Sequence, residues 1–306
     1  MPGRPPLRQR FVRAVLVAVA LQVVYVTLFV LPGHDPRPNG LPVAVAGALP
    51  GAEANGFEVV RVPDEAAARR AILDREVYGA FLPDRVLVSS AASVPVAQLL
   101  RSLGRETERV VDVRPTDPDD PRGTTLNLFV LPLIVTGILV ALVAAGLLPD
   151  AGLRGRVLGA ALAALLGSLA TVGVVHGAIG ALPGSFPALV GVATLGVLAL
   201  TLSAGGLIAL LGQGGVALAF ILFLVLGSPA SGLAGAPELL PTPWAELGHL
   251  LPPGAMGTAI RGVAYFDGAG ALDGCLVLVA WCLIGVALSA AARGRRAGGP
   301  AAAAPA

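Results

Sequence analysis

The apolar segments of this chain fall in a 1 + 5 pattern, and that spacing restricts the fold more than any single residue does. One apolar run covers residues 11–31. Residues 33–123 then read as ordinary soluble protein. From 126 to 292 the chain is apolar almost throughout. A membrane helix needs about 20 predominantly apolar residues, and six stretches meet that need: 11–31, 126–148, 157–181, 186–211, 212–230 and 272–292. Only 13% of the residues are charged, against about a quarter in a soluble domain. The deficit is local. Residues 33–123 carry 11 Arg and 14 acids, and the residues after 123 carry six Arg and five acids. The fold class expected is an α-helical polytopic membrane protein, six helices in a 1 + 5 order, with a small α/β extracytoplasmic domain after the first.

Charge orients the set. Arg4, Arg8, Arg10 and Arg13 lie at the front of the first span. Arg154 and Arg156, with Asp150, lie between spans two and three, and Arg293, Arg295 and Arg296 follow span six. The positive-inside rule puts all three groups in the cytoplasm. Both termini are then inside, and residues 33–123 and 231–271 outside, at the cell membrane. The first run is longer than a signal-peptide core and lacks a small-x-small exit, so it reads as an uncleaved anchor. Four units follow: 1–32, an arginine-rich N-terminus and helix; 33–123, the extracytoplasmic domain and linker; 124–292, five helices with an outer cap at 231–271; 293–306, a disordered cytoplasmic tail. Between spans four and five no charge marks a loop. A tight glycine turn near Gly212 is one reading and a single long bent helix the other.

Inside 33–123 the pattern is β-β-α-β-β-α-β. Strands are expected at 41–46, 57–62, 77–82, 86–89 and 110–113. The first helix covers 66–74 with Asp64 as its N-cap. The second covers 94–108, with Leu99, Leu100 and Leu103 on one side. Residues 117–121 are a stiff acidic linker. No nucleophile–base pair is visible, and acids alternating with arginines read as a solvated surface. That leaves room for a sugar- or lipid-binding cleft that no motif would mark.

The distinctive local sequence is the cap. Trp244, Pro252, Pro253, Gly254, Arg261, Tyr265 and Phe266 are its candidate residues. Two short helices, too polar to span, read as amphipathic pieces in the outer interface or partly re-entrant, with Trp244, Tyr265 and Phe266 at headgroup depth. The cap either lines the outer end of a substrate route or is an interfacial brace. Arg261 contacts lipid phosphate, snorkels, or pairs with Asp267 or Asp273. Glu246 and His249 are two ligands, too few for a metal site. His176, near the outer end of span three, suits a proton relay. No span holds a buried acid, which argues against an ion-driven pump. Cys275 and Cys282 sit seven residues apart on one helix, about 10 Å, and read as packing residues. Gly159, Gly167, Gly173, Gly191 and Gly196 read as close-packing positions.

Several segments together resemble one family. They are Pro42-Val43-Ala44-Val45, Asp64-Glu65-Ala66-Ala67-Ala68, and Val77-Tyr78-Gly79-Ala80-Phe81-Leu82-Pro83. Gly212 and Gly215 with Ser228-Pro229-Ala230-Ser231-Gly232 follow, and then Leu251-Pro252-Pro253-Gly254-Ala255 through Arg261-Gly262-Val263-Ala264-Tyr265-Phe266. With the 1 + 5 layout they resemble the ABC-2-type transporter permeases, the YhgE/Pip-like branch and its actinobacterial relatives. Two departures stand out: Gly47-Ala48-Leu49-Pro50 replaces an Asn-rich turn, and the outward domain is short. The resemblance implies a permease subunit of an exporter for lipids, drugs or cell-envelope components, forming a homodimer with a separate cytoplasmic ATPase. Arg8, Arg10, Arg154 and Arg156 are the candidate ATPase-coupling surface. The chain has no lysine, hence no phosphate-binding Gly-x-x-x-x-Gly-Lys loop of its own. No cofactor, metal, nucleic acid or enzymatic activity is expected. The alternative is a non-transporting membrane scaffold or envelope-interaction protein acting through its extracytoplasmic domain.

Overall fold

A computed structural model describes residues 6–31, 33–34, 36–47, 56–104, 109–148 and 151–297. Arg4, most of the turn at 47–50, the end of the second predicted domain helix, Asp150 and the tail beyond 297 lie outside them.

The inserted unit is a five-stranded sheet flanked by helices. Its elements are β1 (Leu41–Val45), β2 (Phe57–Arg61), α2 (Glu65–Leu73), β3 (Gly79–Phe81), β4 (Arg85–Val88), α3 (Val94–Leu103) and β5 (Arg109–Asp112), in the expected order. The sheet order is β2-β1-β3-β4-β5. β1 lies parallel to β2 and β3, β3 and β4 form an antiparallel pair, and β5 is parallel to β4. Strand alternation sorts the side chains to two faces. Ala44, Ala80 and Leu87 meet Ala68, Ala71 and Ile72 of α2. Leu41, Val43, Val86 and Val88 meet Val96, Ala97 and Leu100 of α3. Asp64 caps α2 as read, accepting the Ala67 N–H at 2.8 Å. The buried stripe of α3 is Val96, Ala97 and Leu100. Leu103 is half exposed, because the sheet lies toward a different face of the helix than the leucines suggested.

The second core also takes in Ala236 and Leu239 from the cap. The unit is therefore packed onto the helical part through shared apolar side chains, as well as tethered to it by chain ends.

Among the described residues, six helices are long and apolar enough to cross a membrane. They are α1 (Leu7–Val30), α4 (Thr125–Leu147), α5 (Leu153–Val172, continued as a π-helical stretch to Ala178), α6 (Phe186–Leu211), a continuous run Gln213–Ala230 and α11 (Ala271–Ala297). The run Gln213–Ala230 comprises α7 (Gln213–Phe220), a π-helical stretch and α8 (Gly227–Ala230). Two boundaries differ from expectation. α11 continues through Arg293–Ala297, so the predicted disordered tail begins as helix. α5 starts at Leu153, so Arg154 and Arg156 lie on its first turn rather than in a loop.

α6 is the central post, packed against α4, α5, α7, α10 (Pro252–Tyr265) and α11. After it the chain reverses at Gly212, whose φ of +60° favours glycine. A Cβ at Gly215 would lie 2.1 Å from the Leu207 carbonyl oxygen. Residues eight apart in one straight helix lie about 12 Å apart, so the bent-helix alternative is excluded. The close helix contacts fall elsewhere than the sequence suggested. Gly159, Gly167, Gly173 and Gly191 face open space and only Gly196 is packed, whereas Gly206 and Gly285 bring α6 and α11 together.

Asp120 joins the sheet unit to α4. Its carboxylate accepts the N–H groups of Thr124 and Thr125 at 2.9 and 2.8 Å. Burial raises its pKa, but those hydrogen bonds outweigh it and hold the carboxyl below the ordinary value. A carboxyl depressed by folding stabilises above its unfolded pKa of about 3.9, and that stability fades as pH falls through the folded value. Asp120→Ala is expected to cost about 1 kcal/mol at pH 7 and much less at pH 3, read as the difference in thermal unfolding against wild type. An equal cost at both pH values would show that the carboxylate is not the cap.

Candidate functional site

The chain from Ser231 to Gly270 builds the cap from short pieces. Ser231 to Leu240 is irregular, with a 3₁₀ turn at Pro237–Leu239. α9 (Trp244–Leu250) follows, and Leu251 in extended conformation separates it from α10. Pro252 and Pro253 open α10, where their missing N–H groups cost nothing.

These two helices form a hairpin driven into the bundle. The Trp281 indole N–H donates to the Leu250 carbonyl at 2.8 Å. Trp281 lies ten residues into α11, about 15 Å from its start. Met256 packs on Gly196, ten residues into α6. At the other end of α10, Gly262 meets Ala269 and Ala271. So α9 runs down the flank of the bundle, with Glu246, Leu247, His249 and Leu250 exposed, and α10 climbs back through it. α10 is enclosed by the bundle rather than laid on its surface: twelve of its residues are buried. Its Gly and Ala residues score weakly in hydropathy, yet their small size lets the helix fit among α4, α6, α8 and α11. A Cβ at Gly248 would fall 1.9 Å from the Ala230 carbonyl oxygen, and one at Gly254 2.1 Å from that of Gly248.

The candidate residues therefore occupy different places than expected. Pro252, Pro253 and Gly254 are buried at the hairpin turn, and Trp244 is half-buried at the entrance of α9. Tyr265 and Phe266 are buried rather than spread at an interface. Arg261 is 7% exposed and neither snorkels nor pairs with Asp267 or Asp273. Its guanidinium reaches the Leu233 carbonyl at 3.4 Å.

Where α10 emerges it meets a polar cluster from the sheet unit. Arg75 donates to the Thr258 carbonyl at 3.0 Å, and its guanidinium lies 5.5 Å from the centre of the Phe266 ring. The Tyr78 hydroxyl donates to Glu238 at 2.7 Å. Arg114 donates to the Tyr265 carbonyl and pairs with Asp267 at 3.4 Å. Asn39 binds both the Glu238 carbonyl and the Thr242 hydroxyl. Burial, then the repulsion of Arg261, pulls the Arg75 guanidinium down to about 10. Burial, then Glu238, pushes the Tyr78 phenol up, and burial followed by Asp120 pushes Tyr265 up to about 12. Both phenols stay neutral donors.

Arg75 carries a further signature. It follows α2 at the position where helices commonly end in a left-handed glycine, with φ +62°. The Glu76 N–H reaches the Ala71 carbonyl and the Arg75 N–H that of Ile72, closing a Schellman turn. An arginine there costs about 1 kcal/mol over glycine; the reach into α10 offsets it. Sequence reasoning counted Arg75 among the solvated charges of the inserted unit, placed Tyr78 in a strand and gave Glu238 no role. The one available signal was a helix end without its glycine.

The far end of the bundle holds the arginine candidates. Arg154 is exposed and Arg156 half-buried on the first turn of α5, with Arg293 beside Gly152. Arg8 and Arg10 are exposed on α1, which packs chiefly against the Gln213–Ala230 run. His176 lies at the α5–α6 turn, 2.7 Å from the Leu182 carbonyl, with Phe186 against its ring. Glu246 and His249 are both exposed on α9, and among the described residues no three His, Cys, Asp or Glu converge to hold a metal. No protein-family model, curated protein or solved structure matches the chain.

Arg75→Ala is expected to loosen the docking of the sheet unit by about 2 kcal/mol, since a charge-assisted bond is lost while the left-handed backbone remains. Arg75→Gly should lose about 1 kcal/mol less. Limited proteolysis of the 56–112 region measures both. Wild-type resistance in the two variants would contradict the docking role.

Proposed function

We propose that this chain is a six-span integral membrane protein serving as the permease subunit of an ABC-2-like exporter. Both termini face the cytoplasm and the sheet unit lies outside. The cargo class is lipids, drugs or cell-envelope components, and a separate ATPase supplies the energy. Support comes first from the six apolar helices and the arginine asymmetry, which fit a multi-pass protein in a bilayer.

The observation that carries the reading is the α9–α10 hairpin. Irregular backbone at membrane depth is tolerated where protein or a water-filled cavity covers it, and such breaks often mark transport routes. α9 exposes Glu246 and His249 on the flank of the hairpin. Ionisable groups at that level call for a cavity or a partner chain rather than lipid. Beyond Arg13, α1 is apolar except for Gln22 and Thr27, and no described residue in its membrane-length window is buried, so it offers a surface for lipid or for a second copy in a homodimer. Movement of the bundle would reach the sheet unit through the Arg75, Tyr78 and Arg114 contacts. On the opposite face, Arg8, Arg10, Arg154 and Arg156 form the coupling surface for the ATPase.

The firm packing of the sheet unit on Ala236 and Leu239 also favours a second reading, a scaffold that presents a fixed domain to an envelope partner. One experiment separates the two. Purification from native membranes in mild detergent should recover a nucleotide-hydrolysing subunit, and Arg154→Glu with Arg156→Glu should release it while the permease stays folded. Repeated recovery of an envelope protein without any ATPase would sink the export reading.

A further inference from the structure

Two neighbouring cavities lie where the sheet unit meets the bundle, and their linings differ in kind. The first is a narrow recess of about 20 Å³, room for one water-sized group. Its polar lining is Ser90, Ser93, Thr116, Arg122, Arg261 and Tyr265, with no carboxylate. The hydroxyls of Ser90 and Ser93 accept the N–H groups of Thr116 and Val96, which leaves their protons free to donate. Arg122 is exposed and makes no ion pair among the described residues. Asp120 and Asp117 lie near Tyr265 and Asp112 accepts the Ser90 N–H, so carboxylates border the recess without lining it; the Asp120 oxygens accept from Thr124 and Thr125. The recess is a set of donors awaiting an acceptor.

The second is a cleft of about 300 Å³ lined mainly by apolar groups, among them Phe29, Pro36, Leu131, Pro229 and Leu240. Its walls are the last turn of α1, the early turns of α4 and the end of α8, the domain-side ends of three candidate spans. Pro95, Leu233, Ala234 and Gly235 line both cavities. Polar and apolar halves therefore adjoin across a shared wall.

We infer that the two adjoining cavities bind one membrane lipid with an anionic headgroup, a phosphate oxygen in the recess and an acyl chain in the cleft. Geometry and charge both select this occupant. The recess admits one oxygen and excludes a bulky sugar. A charged acceptor gains from the two guanidiniums where a neutral one does not. The cleft is at the low end of small-molecule sites and stands at the level where headgroups give way to tails. The inference narrows the cargo or regulator of the proposed exporter and rests on that reading only for membrane placement. Binding is measured without an ATPase, so failure here leaves the coupling proposal standing, and the reverse.

The test uses the full chain in neutral detergent, titrated with phosphatidylglycerol, phosphatidylcholine and glycerol phosphate, with bound lipid counted by native mass spectrometry. Phosphatidylglycerol should be retained about tenfold more tightly than phosphatidylcholine, a difference of about 1.4 kcal/mol. Arg122→Gln should reduce that preference about threefold, as expected for losing one exposed charge contact. Ala234→Phe, at an exposed wall position, should abolish retention of both lipids while thermal unfolding stays near wild type. Equal retention of the two lipids would overturn the inference, as would undiminished binding in Ala234→Phe. Competition by glycerol phosphate alone would make the recess a free-phosphate site and overturn the lipid assignment.

Discussion

Backbone polar groups buried in an apolar bundle must find partners inside it, and the α9–α10 hairpin is where this chain meets that demand most sharply. The turn between the two helices lies about 15 Å along α11 from its start. There the Leu250 carbonyl takes the Trp281 indole proton, and two prolines remove donors that would otherwise be unmet. Gly248 and Gly254 let three backbone segments touch. The other features follow from this wedge. α8 can stop short because the hairpin fills the space above it. α6 can bury along most of its length because α10 covers the face left between α4 and α11.

The hairpin also explains the polar junction. A re-entrant pair brings its C-terminal end back to the surface pointing at the inserted sheet, and its last carbonyls have no helical partner. Arg114 comes from the sheet unit to the Tyr265 carbonyl at that end, and Arg75 reaches the Thr258 carbonyl about two turns earlier. Arg75 accepts a left-handed backbone to get there. The buried guanidinium of Arg261 and the half-buried one of Arg75 share the neighbourhood of Glu238, and Arg114 pairs with Asp267 beside them.

Long-period signals were legible without coordinates. The six apolar helices, the seven-element order of the sheet unit and the Asp64 cap each depend on local periodicity or a local hydrogen bond, and each stands at or near its expected bounds. The cap was only half legible. Hydropathy scores Gly and Ala near neutral, so α10 looked amphipathic although it is buried, and Arg261, Tyr265 and Phe266 were placed at an interface instead of inside. The cluster of Arg75, Tyr78 and Glu238 was illegible for another reason. Its members lie about 160 positions apart, from Tyr78 to Glu238, and no local pattern reports a contact made by tertiary packing. Likewise the packed glycines were not those with the most suggestive spacing, because close approach is set by which helices become neighbours.

The most direct measurement of the hairpin's depth is a disulfide across it. A Cβ at Gly196 would lie 3.3 Å from the Met256 Cβ, near the spacing of about 3.8 Å that a disulfide uses. With Cys275 and Cys282 replaced by alanine, a chain carrying Gly196→Cys and Met256→Cys should cross-link in native membranes on mild oxidation and stay joined after cleavage at the Gly212 turn. A hairpin lying flat on the bundle's end would keep residue 256 about 15 Å from residue 196. Absence of the cross-link in folded protein would contradict the re-entrant arrangement and the account built on it.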